Sequence, residues 1–156
     1  MTPTRKPAAK TDKPTPSKRA AAIVHLEQTT GPTTRAVLSG LRKFNSAQAG
    51  KAKRIPVTVS LRDKSEIVGG LTGQVARKWL RIELFWVAEP FRGKGAGVKI
   101  LALAEAEAKR LGAARALVDT MSFQAPAFYI KAGYTPFARL DDHPPGHHHI
   151  WLQKIL

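Results

Sequence analysis

Residues 78–88, KWLRIELFWVA, place Leu80, Ile82, Leu84 and Trp86 on one face and Arg81, Glu83, Phe85 and Val87 on the other. That alternation predicts a strand. The same period of two gathers Val57, Val59 and Leu61 in IPVTVSLRD (55–63). EIVGGLTGQVA (66–76) reads as an apolar, glycine-rich strand that ends in a turn. AAIVHLEQ (21–28) predicts a first strand and ARALVDT (114–120) a short one, while YTPFARL (134–140) and HHHIWLQKIL (147–156) predict a closing pair across the loop DDHPPG. A helical period takes over in TTRAVLSGLRKFNSAQ (33–48), where Val37, Leu41 and Phe44 share a face. GVKILALAEAEAKRLG (97–112) carries the stripe Leu101, Ala104, Ala108 and Leu111, with Gly112 as its stop. SFQAPAFYIKAG (122–133) predicts a further helix ended by Gly133. Strands mixed with helices, with a strand–turn–helix at the centre, predict an α/β or α+β sheet domain over 21–156.

Charge changes this picture at two places. The 156 residues hold 26 Lys+Arg against 11 Asp+Glu, a net +15. Six basic side chains against Asp12 give residues 1–20 a local +5, which leaves +10 for the rest, so the domain itself is basic. Anionic partners follow: a phosphate-bearing cofactor, nucleic acid or an acidic surface. The first twenty residues, rich in Pro, Thr, Lys and Ala, bury too little apolar area to offset their ordering entropy and predict a disordered tail. That tail reads as a solubilising segment, or as an arm making weak nucleic-acid contact. No cysteine is present, which excludes disulfides, a Cys-ligated metal and a cysteine nucleophile. No apolar run reaches membrane-span length and the N-terminus carries no signal-peptide core, so the expectation is a cytoplasmic protein with no membrane partner.

The strongest chemical signal is VAEPFRGKGAG (87–97), with Gly93, Gly95 and Gly97 interleaved with Arg92 and Lys94 ahead of the helical pattern. Glycines let backbone approach a ligand, and a helix start presents unpaired N–H groups and partial positive charge. Together they make an anion site suited to phosphate. A dinucleotide fingerprint would need glycine at Val98, and a Walker A loop would need Ser or Thr at Gly95. The alternative is a tight strand-to-helix turn with no ligand.

The arrangement Val87-x4-Arg92-Gly93-x-Gly95-x-Gly97 resembles motif A of the GNAT N-acetyltransferase superfamily, R/Q-x-x-G-x-G/A. Downstream, Ser122-x-x-Ala125-x-x-Phe128-Tyr129-x-x-x-Gly133-Tyr134 resembles that superfamily's N-x-x-A-x-x-L/F-Y-x-x-x-G-F/Y, with Ser122 where Asn is usual. SFQAPAFY, GY and PPGH resemble a subgroup of small bacterial members, and the likeness spans about 21–156. The resemblance implies a GNAT-type central mixed sheet, mostly antiparallel, with a splayed parallel pair (78–88 and 114–120) and flanking helices. It implies acetyl-CoA as acetyl donor and no metal. The turn amides of Arg92, Gly93, Lys94, Gly95, Ala96, Gly97 and Val98 would take the pyrophosphate. Backbone of Phe85, Trp86 and Val87 would pair with the pantetheine arm as an added strand does. Ser122 and Phe128 complete the implied cofactor contacts.

Acetyl transfer to an amine must remove a proton from the amine and protonate or stabilise the departing thiolate. Without cysteine, direct attack in a ternary complex is the simplest route. Glu83 is the only acid of its strand and lies four residues before Val87, which the alternation puts on the same face. Polyamine acetylators of the superfamily carry a glutamate base nine positions before the motif arginine, the spacing of Glu83 from Arg92. A charge pair with a neighbouring cation is the competing role. Tyr129 stands at the family's tyrosine position and, with an ordinary pKa of about 10, can donate a proton to the thiolate. Its competing role is core packing with Phe128. A backbone N–H near Val87 would stabilise the oxyanion.

His147, His148 and His149 invite a metal reading, but consecutive strand side chains diverge and no carboxylate–His helix pair supports a site. His143 or His147 could line an acceptor pocket. Asp119, Thr120 and Gln124 could contact acceptor or pantetheine, and helix capping is an equal role for them and for Ser122. The leading function is an acetyl-CoA-dependent N-acetyltransferase acting on an amine, either small molecule or protein, as monomer or homodimer. Two others stay open: a CoA-binding GNAT fold without catalysis, kept alive by Ser122, and a basic nucleic-acid-binding module.

Overall fold

The computed structural model describes residues 22–156; the tail expected over 1–20 lies outside them. The chain divides into two units, Met1–Arg42 and Lys43–Leu156. In the first, residues 22–28 form no strand, against expectation, and Ile23, Val24 and Leu26 are exposed. The apolar run has no partner strand to alternate against, so its period stays unused. The helix that follows, α1 (Gly31–Ala49), spans the predicted segment with a turn more, and none of its residues is buried.

The second unit carries a six-stranded sheet. Its strands are β1 (Ile55–Asp63), β2 (Glu66–Ala76), β3 (Trp79–Val87), β4 (Arg115–Met121), β5 (Thr135–Asp141) and β6 (His148–Ile155). They lie in the order β1-β2-β3-β4-β6-β5, antiparallel except for the parallel pair β3–β4. The crossover between that pair is α2 (Ala96–Arg110), as a parallel connection requires. This is the mixed sheet with a parallel centre that the sequence predicts.

One face of the sheet is the core. Leu71, Leu80, Ala116 and Leu152 meet Ile100, Leu101, Ala104 and Ala108 of α2 there. The α2 stripe holds as predicted, with Ile100 added and Leu111 only half-buried. The short helix α3 (Pro126–Lys131) brings Tyr129 onto the same core. It is shorter than the helix expected over 122–133, because Pro126 opens it and the preceding residues form a turn. A polar tie joins the elements: Glu105 of α2 accepts from the Tyr134 hydroxyl at 3.0 Å and the Lys154 ammonium at 2.7 Å. Burial and the Glu105 carboxylate push the Tyr134 pKa well above the ordinary tyrosine value.

The expected alternation of β3 fails at one residue. Thr72 faces Leu84 and Gly73 faces Ile82, so Glu83 is the extra residue of a β-bulge. The bulge exchanges the faces beyond it. Phe85 and Val87 join Leu80 and Ile82 on the core side, while Leu84 and Trp86 are exposed. Glu83 and Val87 therefore do not share a face.

Glycine at 73 is what the bulge requires of its partner strand. A Cβ there would collide with the Arg81 backbone carbonyl oxygen. Gly73→Ala should therefore cost about 1–3 kcal/mol, as overpacking against backbone does, read from urea midpoints. Gly40→Ala, in α1 with open space around it, should be neutral or stabilising by up to about 1 kcal/mol. Equal midpoints for Gly73→Ala and the parent would contradict the close approach.

Candidate functional site

The parallel pair is short. Only Trp79–Arg115, Leu80–Ala116 and Arg81–Leu117 are in register. Beyond them β3 bulges at Glu83 and the two strands part, opening a cleft of about 880 Å³. One wall is β3 from Ile82 to Val87, the other β4 from Val118 to Met121. The glycine turn closes one end, and Phe128 and Tyr129 of α3 lie alongside.

Local sequence explains the turn. A single 3₁₀ turn, Glu89–Phe91, follows β3, with Pro90 fixing its start. Gly93 and Gly95 then take left-handed φ values of 70° and 80°, which only glycine adopts without strain. Gly95 is the N-cap of α2, and no side chain caps that end. The Lys99 amide bonds the Gly95 carbonyl at 3.1 Å, so the amides before it have no partner within the helix. Gly97 serves a different purpose. A Cβ there would lie 3.4 Å from Phe128 and 3.8 Å from Phe85, whose rings pack edge-to-face with centroids 5.6 Å apart. Open amides, the helix's positive end and nearby cations make an anion site at the mouth of the cleft.

The cations are anchored. Arg92 Nε donates to the Val87 carbonyl at 2.7 Å, and Lys94 Nζ to the Pro90 carbonyl at 2.8 Å. Arg92 lines the cleft with Gly93, Gly95, Gly97 and Val98. Lys94 and Ala96 are not among its lining residues, and Lys94 braces the turn from outside.

Tyr129 is buried and still borders the cleft. Its ring lies between Phe128, at 5.2 Å, and Tyr134, at 5.6 Å. Burial and the nearby Asp119 carboxylate push its pKa up to about 12, so the hydroxyl keeps its proton throughout the neutral range. Glu83 also borders the cleft, and its carboxylate accepts from the Gln74 side-chain amide across the bulge. The expected charge partner of Glu83 is thus a neutral one.

Ser122 is elsewhere. Its hydroxyl accepts from the His148 amide at 3.2 Å and lies 3.3 Å from His147 Nδ1, tying the β4–α3 turn to the start of β6. It does not line the cleft, and Ala125 rather than Ser122 is the N-cap of α3. No side chain caps α3; Gln124, which lines the cleft with Thr120, instead accepts from the Met121 amide at 2.9 Å and the Thr120 hydroxyl at 3.1 Å at the end of β4.

The sequence reading singles out neither His149 nor Phe123 for the cleft. His147 precedes β6 and His149 is its second residue, which the ladder sets opposite Met121 at the cleft wall. His149 Nε2 pairs with Asp119 at 2.8 Å and its ring stacks on Trp151 at 4.1 Å. His147 instead packs against Phe123, at 4.9 Å. His143 stacks 6.1 Å from His149 and does not border the cleft. His147 and His149 thus meet different neighbours, Phe123 for the first and Asp119 and Trp151 for the second. Among the described residues no helix is long and apolar enough to cross a membrane.

Residues 23–134 match the model of the acetyltransferase (GNAT) family. The chain is 35% identical over 121 residues to acetyltransferase Atu2258 of Agrobacterium fabrum, a match covering 77% of this chain and 88% of that protein. It is 36% identical over 120 residues to blasticidin-S acetyltransferase of Streptomyces morookaense, covering 76% and 88%. A solved acetyltransferase-type structure from Agrobacterium tumefaciens superposes with TM-score 0.78 and 31% identity, over 87% of this chain and all 100% of that one. With the parted parallel strands and the glycine-turned helix start, these matches establish that the chain belongs to the acetyltransferase (GNAT) family.

Proposed function

We propose that this chain is an N-acetyltransferase that moves acetyl from acetyl-CoA to the amine of a small molecule in a ternary complex. One observation carries the reading: Gly95, Gly97 and Val98 at the uncapped start of α2 border the same cleft between parted strands as Tyr129. The relative named for blasticidin-S acetylation supports a small-molecule acceptor.

The donor set fits the cofactor. Pyrophosphate would lie on the turn of Gly93, Gly95, Gly97 and Val98, with Arg92 adding charge. Beyond Arg81 the strands no longer pair, which leaves cleft-side backbone in the stretch Phe85, Trp86 and Val87 to pair with an extended pantetheine arm, apart from the Val87 carbonyl that Arg92 holds. Phe85 and Phe128 give that arm an apolar wall. Bound there, acetyl-CoA supplies an activated thioester. Tyr129, held protonated, is the acid that donates to the departing sulfur. Glu83, at the bulge, is the base that takes the proton from the amine, directly or through water.

A ligand bound only by the folded state raises stability by RT ln(1 + [L]/Kd). Acetyl-CoA at about a hundredfold its Kd should therefore raise Tm by roughly 5–10 °C. Gly97→Val drives methyl groups toward Phe128 and Phe85 and should remove most of that shift while the far-ultraviolet dichroism persists. No shift in the parent at millimolar acetyl-CoA would defeat the reading.

The proton-transfer roles separate by pH. Glu83→Gln should lower kcat about a hundredfold or more near pH 6, where the amine is protonated, and less near pH 9. Tyr129→Phe should lower kcat and spare cofactor binding, because only the hydroxyl is lost. The raised pKa has a definite sign: the acid form persists to higher pH, so kcat should hold through pH 10 and fall only as about 12 is approached. Loss of activity centred at pH 10 would exclude Tyr129 as the buried acid.

A further inference from the structure

A second cavity of about 610 Å³ lies on the sheet face opposite the core. Glu83 and Asp119 border both this cavity and the cofactor cleft, so the two spaces meet at these carboxylates, where β3 and β4 part. Trp79 and Leu117 give the second cavity an apolar floor, and Arg54 and Arg81 give it positive charge.

The ladder arranges these charges in sequence. Arg81 is level with Leu117, two residues along β3 from Glu83 and two along β4 from Asp119. Two strand residues span about 7 Å. Trp79 is two further residues back, opposite Ala76, and Arg54 immediately precedes β1 at that end, where Ile55 pairs with Val75. The cavity is therefore negative at the junction with the cleft, where the Arg81 guanidinium lies 3.9 Å from Asp119, and carries its second cation, Arg54, at the far end. The Arg81–Asp119 pair, at 3.9 Å with the Arg81 side chain 59% exposed, is long and solvated. Such a pair contributes little and exchanges readily for a better partner.

We propose that the acceptor is an amphoteric small molecule, with its amine between Glu83 and Asp119 and a carboxylate on Arg81 or Arg54. The inference rests on the acetyl-transfer reading and specifies its substrate class. The amine end meets two carboxylates at the point where the acetyl group arrives. The guanidinium forks take a carboxylate in two-point contact, which a neutral group cannot reproduce. Arg81, close to Asp119, can take the carboxylate of a short amino acid, and Arg54 that of a longer one. The cavity fits ω-amino acids and short peptides, with the intervening chain on Trp79 and Leu117.

The test measures acetyl-CoA-dependent thiol release with glycine, aminohexanoate, aminooctanoate and their methyl esters. Saturation-transfer NMR on the CoA-loaded protein reads binding of the same compounds. The amino acids should exceed their own methyl esters by about tenfold in kcat/KM or in bound signal. In Arg81→Ala the acid-to-ester ratio should fall toward one, with a smaller fall in Arg54→Ala. Equal use of acids and esters by the parent would overturn the proposal, as would a ratio unchanged in both arginine variants. So would failure of every compound to bind while acetyl-CoA still raises Tm, an outcome that leaves the acetyl-transfer reading standing. Absence of any acetyl-CoA shift would bring down that reading and the substrate class with it.

Discussion

The site depends on two parallel strands that pair for three residues and then separate. A parallel ladder that stops inside a sheet leaves backbone donors and acceptors without strand partners, a cost the fold must offset. The bulge at Glu83 accomplishes the separation by adding one residue to β3 without adding one to β2. The strand thereby turns Phe85 and Val87 inward, and these side chains wall the cleft from the core side. Gly73 is the complementary requirement, because any side chain there would obstruct the Arg81 carbonyl. A glycine in β2, a glutamate in β3 and the cofactor cleft are thus consequences of one backbone irregularity.

Charge is organised around the same opening. The cations of the glycine turn are held on the carbonyl oxygens of Val87, at the end of β3, and Pro90, in the 3₁₀ turn, which fixes them before any ligand arrives. Preordered cations lose less freedom on binding than mobile ones, so more of their attraction for phosphate remains. At the other end, two carboxylates flank the gap, held by Gln74 and by His149. The basic balance of the chain suits a polyanionic cofactor, while the few acids that line the gap suit a cationic amine. In the proposed reading, opposite electrostatic demands of cofactor and acceptor would be met at opposite ends of this opening.

Much of this was legible in the residues, and the failures have physical causes. The strands of the second unit and the α2 stripe follow from alternation and helical period, which burial enforces. The glycine turn was readable because left-handed φ and close packing admit few other residues. The facing of Phe85 and Val87 was not, since the bulge at Glu83 shifts the period by one residue and leaves no compositional mark of its own. Residues 21–28 have strand-like composition, yet residues 22–28 form no strand, because a period of two has meaning only where a partner ladder exists. His149 escaped notice because its place depends on the β4–β6 register, which local pattern does not determine.

Ser122 bears on whether the fold is catalytic. Its departure from the family's asparagine is the feature that favours a binding protein without turnover. The serine hydroxyl is engaged with the His148 amide and lies beside His147, outside the cleft. Its replacement therefore acts on the junction between the β4–α3 turn and β6. The groups that would handle protons are separate from it: Tyr129 is kept protonated by burial and by Asp119, and Glu83 faces the gap from the bulge. A fold that only sensed CoA would have no need of a protonated hydroxyl and a carboxylate on the same cleft, the second of them shared with a cavity on the other face of the sheet. Two cavities that share carboxylates beside a protonated hydroxyl suit the proposed meeting of two substrates better than sensing alone.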